Sequence, residues 1–254
     1  MKIKPGTLIK LGNHRLICGD SSNPEIIKKL VGNDTIQAII TDPPYGVGYV
    51  ENKLDFSTKG KKHKKIANDQ KRTEAENQVF CESWLSAVSP HLARPNSLYI
   101  FTSDTTLFAL YKACQRENIH FGQLLVWVKN TSVLGRLDYQ AQHELIVYGW
   151  LGTHSFAKAK DKSVLFCPKT RKNTLHPTMK PISLLRRLIL NSTKLGDTVF
   201  DGFGGSGSTL IACEQTKRRC LMVEIDPEYC LVICERFTKL TGIKAELVEV
   251  SDDQ

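Results

Sequence analysis

The stretch Ala38-Ile39-Ile40-Thr41-Asp42-Pro43-Pro44-Tyr45 decides the fold that we expect for this chain. It opens with an apolar run typical of a buried strand. Proline has no amide hydrogen for a sheet and forces the residue before it into an extended conformation, so the strand has to end near Asp42. Ligands bind beyond the carboxyl ends of such strands in an open α/β sheet. We therefore expect a binding site at residues 42–45.

The residue types Asp42-Pro43-Pro44-Tyr45 suit one chemical task, which is to hold the exocyclic amine of a nucleobase. Such an amine is a poor nucleophile because its lone pair is delocalised into the ring. The Asp42 carboxylate and the Pro43 carbonyl would accept its two hydrogens and free the lone pair. The Tyr45 ring offers a face on which the base stacks. The alternative is a strand end followed by a rigid turn, since Asp-Pro is a common turn opener.

Length and composition place the chain among soluble globular proteins. Its 254 residues, 41% hydrophobic and 24% charged, fit one large α/β domain or two small ones. The sequence has no run long enough to cross a bilayer and no secretory segment at residues 1–5, so we expect a cytoplasmic location and no membrane partner. The eight cysteines show no zinc spacing, which favours a reduced core and no metal site. The net charge of +9 suggests a polyanionic partner.

Apolar periodicity predicts alternating strands and helices over the whole chain, 1–254, which we interpret as a single domain. The predicted strands lie at 16–20, 38–45, 98–101, 124–128, 145–148, 198–200 and 220–224, and the predicted helices at 24–31, 74–92, 105–117, 182–191, 210–215 and 227–241. The strands at 124–128 and 145–148 have no crossover helix between them, so they should be antiparallel. The expected class is α/β, a mostly parallel sheet with an antiparallel hairpin and helices on both faces.

Two polar segments interrupt this pattern. Residues 51–72 contain a dense basic run and predict a mobile loop, and residues 151–175 predict a small insert that contacts a partner. Both segments are also explained as solvated surface. If they contact a nucleic acid, their cations would bind its phosphates without selecting a sequence. The candidate DNA-binding residues are Lys59, Lys61, Lys62, Lys64, Lys65, Lys169, Arg171 and Lys172.

A second constellation lies near the carboxyl terminus. Gly202, Gly204 and Gly207 satisfy G-x-G-x-x-G between a predicted strand and helix, and Glu224 ends the next strand. A tight turn with close backbone approach, followed by a carboxylate for ribose hydroxyls, predicts a site for an adenosine cofactor. A nicotinamide dehydrogenase would share this pattern. Too few strands follow the glycines for a dinucleotide site, however, and Asp-Pro-Pro-Tyr has no role in hydride transfer.

Together these motifs resemble the β class of S-adenosylmethionine-dependent DNA amino-methyltransferases. The resemblance covers residues 8–242 and rests on the segments 42–45, 176–181 and 200–209 in that order, with weaker matches at 18–21, 126–129 and 143–144. It implies a circularly permuted Rossmann-like methyltransferase fold, in which the amine-binding strand precedes the cofactor-binding strand. In one departure, Gly202 stands where the family usually has proline. We expect a looser turn there, with cofactor binding retained but weakened.

The resemblance implies methyl transfer from S-adenosylmethionine to the N6 amine of an adenine flipped out of double-stranded DNA. Asp-Pro-Pro-Tyr, rather than a serine-initial version, favours adenine over the N4 amine of cytosine. The alternatives are cytosine N4, RNA or a protein amide as acceptor, and a non-catalytic DNA-binding relative. The resemblance is compatible with a homodimer, with a cognate restriction endonuclease as partner, and with a bacterial or phage origin, and it indicates no recognition sequence.

Site residues follow from the same resemblance. Those implied for catalysis are Asp42, Pro43, Pro44 and Tyr45, and those implied for cofactor binding are Asp20, Thr178, Lys180, Asp201, Phe203, Gly204, Gly205, Ser206, Gly207, Glu224 and Asp226. Tyr45 would stack on the target base with Trp127 as a second wall, although Trp127 equally fits a core role. Asp20 fits a helix cap as well as a cofactor contact. Asp226, which precedes Pro227, also fits a cap, so Glu224 is the better ribose ligand.

Overall fold

The computed structural model of the protein describes residues 1–46, 70–132, 138–157, 161–169 and 179–248. The strands in these ranges are β1 (Leu8–Leu11), β2 (His14–Cys18), β3 (Ile36–Thr41), β4 (Leu92–Thr102), β5 (Ile119–Val128), β6 (His143–Leu151), β7 (Val164–Phe166), β8 (Thr198–Asp201), β9 (Arg219–Glu224) and β10 (Glu246–Val248). The helices are α1 (Pro24–Val31), α2 (Glu74–Val88), α3 (Leu107–Arg116), α4 (Ile182–Ser192), α5 (Ser208–Thr216) and α6 (Pro227–Thr241), with a 3-10 turn at Ser89–His91.

The described strands form one sheet in the order β10-β1-β2-β9-β8-β3-β4-β6-β5-β7. Strands β2, β9, β8, β3 and β4 are parallel to one another, so their carboxyl ends meet at one edge. The predicted β5–β6 pair is antiparallel, and so is a second part, β10-β1-β2, that the sequence analysis did not predict. Because β3 pairs directly with β8, the strands that precede the two motifs are neighbours in the sheet.

Hydrophobic cores cover both faces of this sheet. Ile39 belongs to the core under α1, α2 and α3, together with Trp84. Ile40 belongs to the core under α4, α5 and α6, together with Leu188 and Phe237. A strand buried on both faces has a continuous apolar run, as residues 38–40 do. All eight cysteines are free and buried in these layers.

Helix ends follow local sequence signals. The Asn23 side chain accepts a hydrogen bond from the amide of Glu25 and caps α1. Thr73 and Glu76 form a reciprocal capping box at the start of α2. The helix predicted over 74–92 ends at Val88, since Pro90 lies in the 3-10 turn and β4 begins at Leu92. Among the helices that the structure describes, none has the length and apolar character to cross a membrane.

The sequence analysis missed β1, β7 and β10. These strands have three or four residues each, which is too short for a clear alternating pattern. Of the loop predicted at 51–72, only residues 70–72 are described, and the insert at 151–175 is described at 151–157 and 161–169. The mobile loop and the single-domain organisation therefore stay predictions.

Candidate active site

A cavity of about 400 Å³ opens at the carboxyl edge of the central strands. Both predicted motifs line it, one from the end of β3 and the other from the end of β8. The predicted site residues in its wall are Asp20, Asp42, Pro43, Pro44, Tyr45, Trp127, Lys169, Lys180, Asp201, Phe203, Gly204, Gly205, Ser206, Glu224 and Asp226. Thr178, Arg171, Lys172 and the lysines at 59–65 lie outside the described residues.

Asp42 follows the last residue of β3, and both of its carboxylate oxygens accept hydrogen bonds. The Tyr45 hydroxyl donates to Oδ1 at 2.9 Å, and the Lys180 ammonium lies 2.5 Å from Oδ2. Burial raises the pKa of Asp42, and the charge of Lys180 opposes this effect. Burial also raises the pKa of Tyr45, so its hydroxyl stays protonated and donates. The structure thus presents Asp42 as a partly buried acceptor at the cavity wall.

Lys180 contacts the amine motif, whereas the resemblance placed it beside the cofactor. Its ammonium bridges Asp42 and Glu144, with 3.1 Å to Oε2 of Glu144. Lys129 lies 2.8 Å from the other oxygen of Glu144, so two cations and two carboxylates alternate. Burial alone would lower the pKa of Lys180 and raise that of Glu144, but their opposite charges outweigh it and shift both the other way.

Lys129 and Glu144 are site residues to which the sequence analysis gave no role. Both stand in segments that matched the family weakly, at the end of β5 and the start of β6. Neither Lys129 nor Glu144 lies at a sequence distance from Asp42 that could be recognised as a motif. Only the antiparallel β5–β6 pairing, which aligns Val128 with His143, brings the two segments together. The weak matches at 126–129 and 143–144 were the available signal.

The glycine turn has the close approach that its sequence predicts. A Cβ on Gly204 would lie 2.8 Å from the Met222 sulfur. Glu224 accepts hydrogen bonds from the Gly205 amide at 2.6 Å and from the Asp226 amide at 2.9 Å. Burial raises the pKa of Glu224 to about 7, although these two hydrogen bonds favour the carboxylate. Turn and carboxylate therefore form one unit at the ends of β8 and β9.

Gly207 is the described residue among the predicted cofactor contacts that does not line the cavity. It is the N-cap of α5 with a φ of +78°, a conformation that favours glycine. A Cβ there would lie 3.0 Å from the Ile233 side chain on α6. Gly207 thus permits the turn and a close approach to Ile233 of α6, and its contact with the cofactor stays a prediction.

The structure decides the helix-cap alternative for Asp20 and Asp226, both of which line the cavity. Asn23 caps α1, so the cap interpretation of Asp20 is wrong. The Asp20 carboxylate instead accepts from the amide and the hydroxyl of Ser22, at 2.9 Å and 2.8 Å, and lines the cavity. Asp226 caps α6 through the amide of Glu228 at 2.9 Å.

Trp127 has the core position that the sequence analysis gave as one of two alternatives. Its ring is buried, with 1% of its surface exposed, and lies edge-on to Phe101. Its indole nitrogen donates to the Cys167 carbonyl at 2.7 Å. The same ring forms part of the cavity wall. Trp127 is therefore a core residue that borders the cavity, and its contact with a base stays a prediction.

The turn at Gly202 is held firmly, against the expectation of a looser one. Its amide donates to the Thr41 hydroxyl at 3.1 Å. Its carbonyl accepts from the Ser21 hydroxyl. Both polar groups of its backbone are thus held by side chains, one at the end of β3 and the other just after the end of β2.

This sheet and cavity define a Rossmann-like methyltransferase fold. The solved M1.HpyAVI–SAM complex is 24% identical, with a TM-score of 0.64 over 87% of this chain and 98% of that one. The cytosine-N4-specific PvuII DNA methyltransferase is 15% identical, with a TM-score of 0.71 over 92% and 93% of the two chains. At these identities, the two structures show the fold alone.

The family model of the N6/N4 DNA methylases matches residues 36–235, so the chain belongs to this family. One similar relative is the type II methyltransferase M.HpaI of Haemophilus parainfluenzae, 26% identical over 88% of this chain and 74% of its own length. Another is the DNA adenine methyltransferase YhdJ of Escherichia coli (strain K12), 24% identical over 86% of this chain and 81% of its own length.

Proposed function

We propose that this DNA methyltransferase uses S-adenosylmethionine to methylate the N6 amine of adenine in double-stranded DNA. The observation that carries the proposal is the shared cavity, in which Asp42 and the glycine turn face the same space from neighbouring strands. Membership of the N6/N4 family supports methyl transfer to an exocyclic amine of DNA.

The glycine side of the cavity fits the adenosine part of S-adenosylmethionine. The tight turn at Gly204 allows backbone to approach a ligand closely, and Glu224 at the end of β9 offers oxygens to ribose hydroxyls. Asp20 lies in the same wall and offers an acceptor to the adenine amine. When bound, the cofactor supplies an electrophilic methyl group on its sulfonium.

On the other side of the cavity, Asp42 and the Pro43 carbonyl hold the two hydrogens of the target amine. This geometry frees the nitrogen lone pair and directs it towards the cofactor side. Positive charge develops on the nitrogen during transfer, and the partly buried Asp42 carboxylate stabilises it. The methylated amine then loses a proton to Asp42 or to water. Burial raises the pKa of Asp42 and so makes it a better proton acceptor.

Tyr45 and Lys180 fix the orientation of the Asp42 carboxylate before the base binds. Each carboxylate oxygen has two lone pairs, so an oxygen that accepts from Tyr45 or Lys180 still accepts from an amine. A flipped base stacks on the Tyr45 ring, with Trp127 as an opposite wall. The lysines at 59–65 and 169, with Arg171 and Lys172, contact the phosphates of the duplex in this proposal.

Two observations favour adenine over cytosine as the target. The motif begins with an aspartate, Asp42, as the adenine-type motif that it resembles does. The charge of this carboxylate suits an N6 amine as its ligand. The relative YhdJ, whose name describes an adenine methyltransferase, aligns over most of this chain. The cytosine-N4-specific PvuII enzyme is similar in fold at 15% identity.

The product identifies the target base directly. DNA incubated with the protein and isotopically labelled S-adenosylmethionine is digested to nucleosides, which are separated and identified by mass. We expect label in N6-methyldeoxyadenosine. Label in N4-methyldeoxycytidine would overturn the choice of base, and label in neither would overturn the proposed function.

Asp42→Ala tests the role of the carboxylate. We expect transfer to DNA to fall by at least about a thousandfold, because the variant loses both amine positioning and charge stabilisation. Binding of S-adenosylmethionine, measured by calorimetry, should persist because Glu224 and the glycine turn are unchanged. Transfer at the wild-type rate by Asp42→Ala would remove Asp42 from the mechanism.

A further inference from the structure

Thr41 lies between the two motifs of the site and belongs to neither. It is the last residue of β3, and 1% of its surface is exposed. Its hydroxyl donates to Oδ1 of Asp201 at 2.8 Å and accepts from the Gly202 amide at 3.1 Å. Both hydrogen-bonding capacities of one buried hydroxyl are therefore directed at the start of the glycine turn.

The two hydrogen bonds of the Thr41 hydroxyl join the amine-binding motif to the glycine turn. The distance between this motif and this turn must stay fixed. Thr41 is covalently bonded to Asp42, and Asp201 and Gly202 open the turn that faces it across the cavity. The same oxygen of Asp201 also accepts from the Phe203 amide at 3.1 Å, so the Thr41 contact continues into the turn. The hydrogen bonds of Thr41 are buried, so water does not compete with them.

Gly202 makes half of this link possible. Its amide hydrogen exists because the residue is not a proline, and that hydrogen bonds Thr41. Its carbonyl is held by Ser21, which follows the end of β2. The ends of β2, β3 and β8 are thus joined at Gly202. A proline at this position would make the turn more rigid but would have no amide hydrogen to donate to Thr41.

We propose that Thr41 is a positioning residue that sets the distance between the amine-binding motif and the cofactor turn, through its bonds to Asp201 and Gly202. The proposal rests on the proposed methyl transfer and holds for either target base. Thr41 touches no reacting group in it. The hydroxyl acts by keeping Asp42 and the cofactor side in register, so its loss should slow the chemical step more than it weakens binding.

Thr41→Val and Thr41→Ser separate the hydroxyl from the shape of the side chain. Valine keeps the branched shape and loses the hydroxyl, whereas serine keeps the hydroxyl. We expect Thr41→Val to lower kcat about 10- to 100-fold, with the Kd of S-adenosylmethionine and the KM of DNA changed less than about threefold. Thr41→Ser should retain kcat within about threefold of wild type.

A double-mutant cycle with Gly202→Pro tests the second partner. This substitution removes the amide hydrogen before Thr41 is changed. Thr41→Val should therefore cost at least about threefold less in kcat in the Gly202→Pro background than in wild type. Gly202→Ala is the control, since it retains the amide and should leave the cost of Thr41→Val unchanged.

Several results would overturn the proposal. These are an unchanged kcat in Thr41→Val, equal impairment in Thr41→Ser, or a loss that lies wholly in cofactor affinity. If Thr41→Val does not fold, as judged by its thermal transition, Thr41→Ala compared with Thr41→Ser answers the same question. A wild-type protein without methyl transfer contradicts the proposed function, whereas an active wild type with an equally active Thr41→Val contradicts this inference alone.

Discussion

At the scale of single residues, Glu224 gives the site a pH dependence. Burial raises its pKa from the usual carboxyl range to about 7. The folded protein therefore holds this proton more tightly than the unfolded chain does. The stability that it contributes is complete below the unfolded pKa and is lost as pH rises through about 7.

Cofactor affinity should change with pH in the opposite direction. Since the carboxylate is the better acceptor for ribose hydroxyls, we expect S-adenosylmethionine to bind up to about tenfold more weakly near pH 6 than near pH 8. Calorimetry on wild type and Glu224→Gln at both pH values checks this. The variant should lack the dependence, and an affinity of the wild type that does not vary with pH would contradict the assignment of Glu224.

Some residues of the site can be predicted from the sequence and others cannot. Asp42, Tyr45, Gly204 and Glu224 were predicted and line the cavity, because each belongs to a motif whose order in the chain is informative. Glu144 was given no role, because its place in the site depends on an ion pair with Lys180 across the fold. Partners that meet only through tertiary packing leave no local pattern to recognise.

At the scale of elements, the contact between α5 and α6 separates structural from ligand-binding glycines. Gly207→Ala places a methyl group on the left-handed N-cap of α5 and against Ile233. We expect it to lower the free energy of unfolding by about 1–3 kcal/mol in a denaturant titration. The Kd of S-adenosylmethionine should stay nearly the same, because Gly207 does not face the cavity.

Gly204→Ala is the comparison for this prediction. Its Cβ would lie close to Met222 and alter the turn that lines the cavity. It should weaken S-adenosylmethionine binding more than Gly207→Ala does. If Gly207→Ala were the more damaging of the two for affinity, the predicted direct contact of Gly207 with the cofactor would be supported instead.

Elements with strong periodicity and caps were predicted closely, and weakly patterned ones were not. The predicted bounds of α1 and α6 agree with the structure because Pro24 and Pro227 fix their starts and Gly32 and Gly242 fix their ends. β7 was missed because three residues in a basic segment do not form a pattern. Its pairing with β5 is set by tertiary structure.

At the scale of the whole molecule, the net charge of +9 predicts a salt-dependent association with DNA. Reversing the charge of Lys59, Lys61 and Lys62 with glutamate should raise the KM for DNA at least about tenfold and reduce the slope of log KM against log salt. The kcat at saturating DNA should change little. A KM that keeps its salt slope would exclude these lysines from phosphate contact.

The adjacency of β3 and β8 also has a consequence for biosynthesis. A ribosome releases β3 and its Asp-Pro-Pro-Tyr loop long before it makes β8, the glycine bend and β9. In the sheet, β9 and β8 lie between β2 and β3, so they have to insert between two strands that are made earlier. A nascent chain that stops short of β8 therefore carries the Asp-Pro-Pro-Tyr loop without the wall that faces it, and the complete cavity exists only once translation has passed Tyr229.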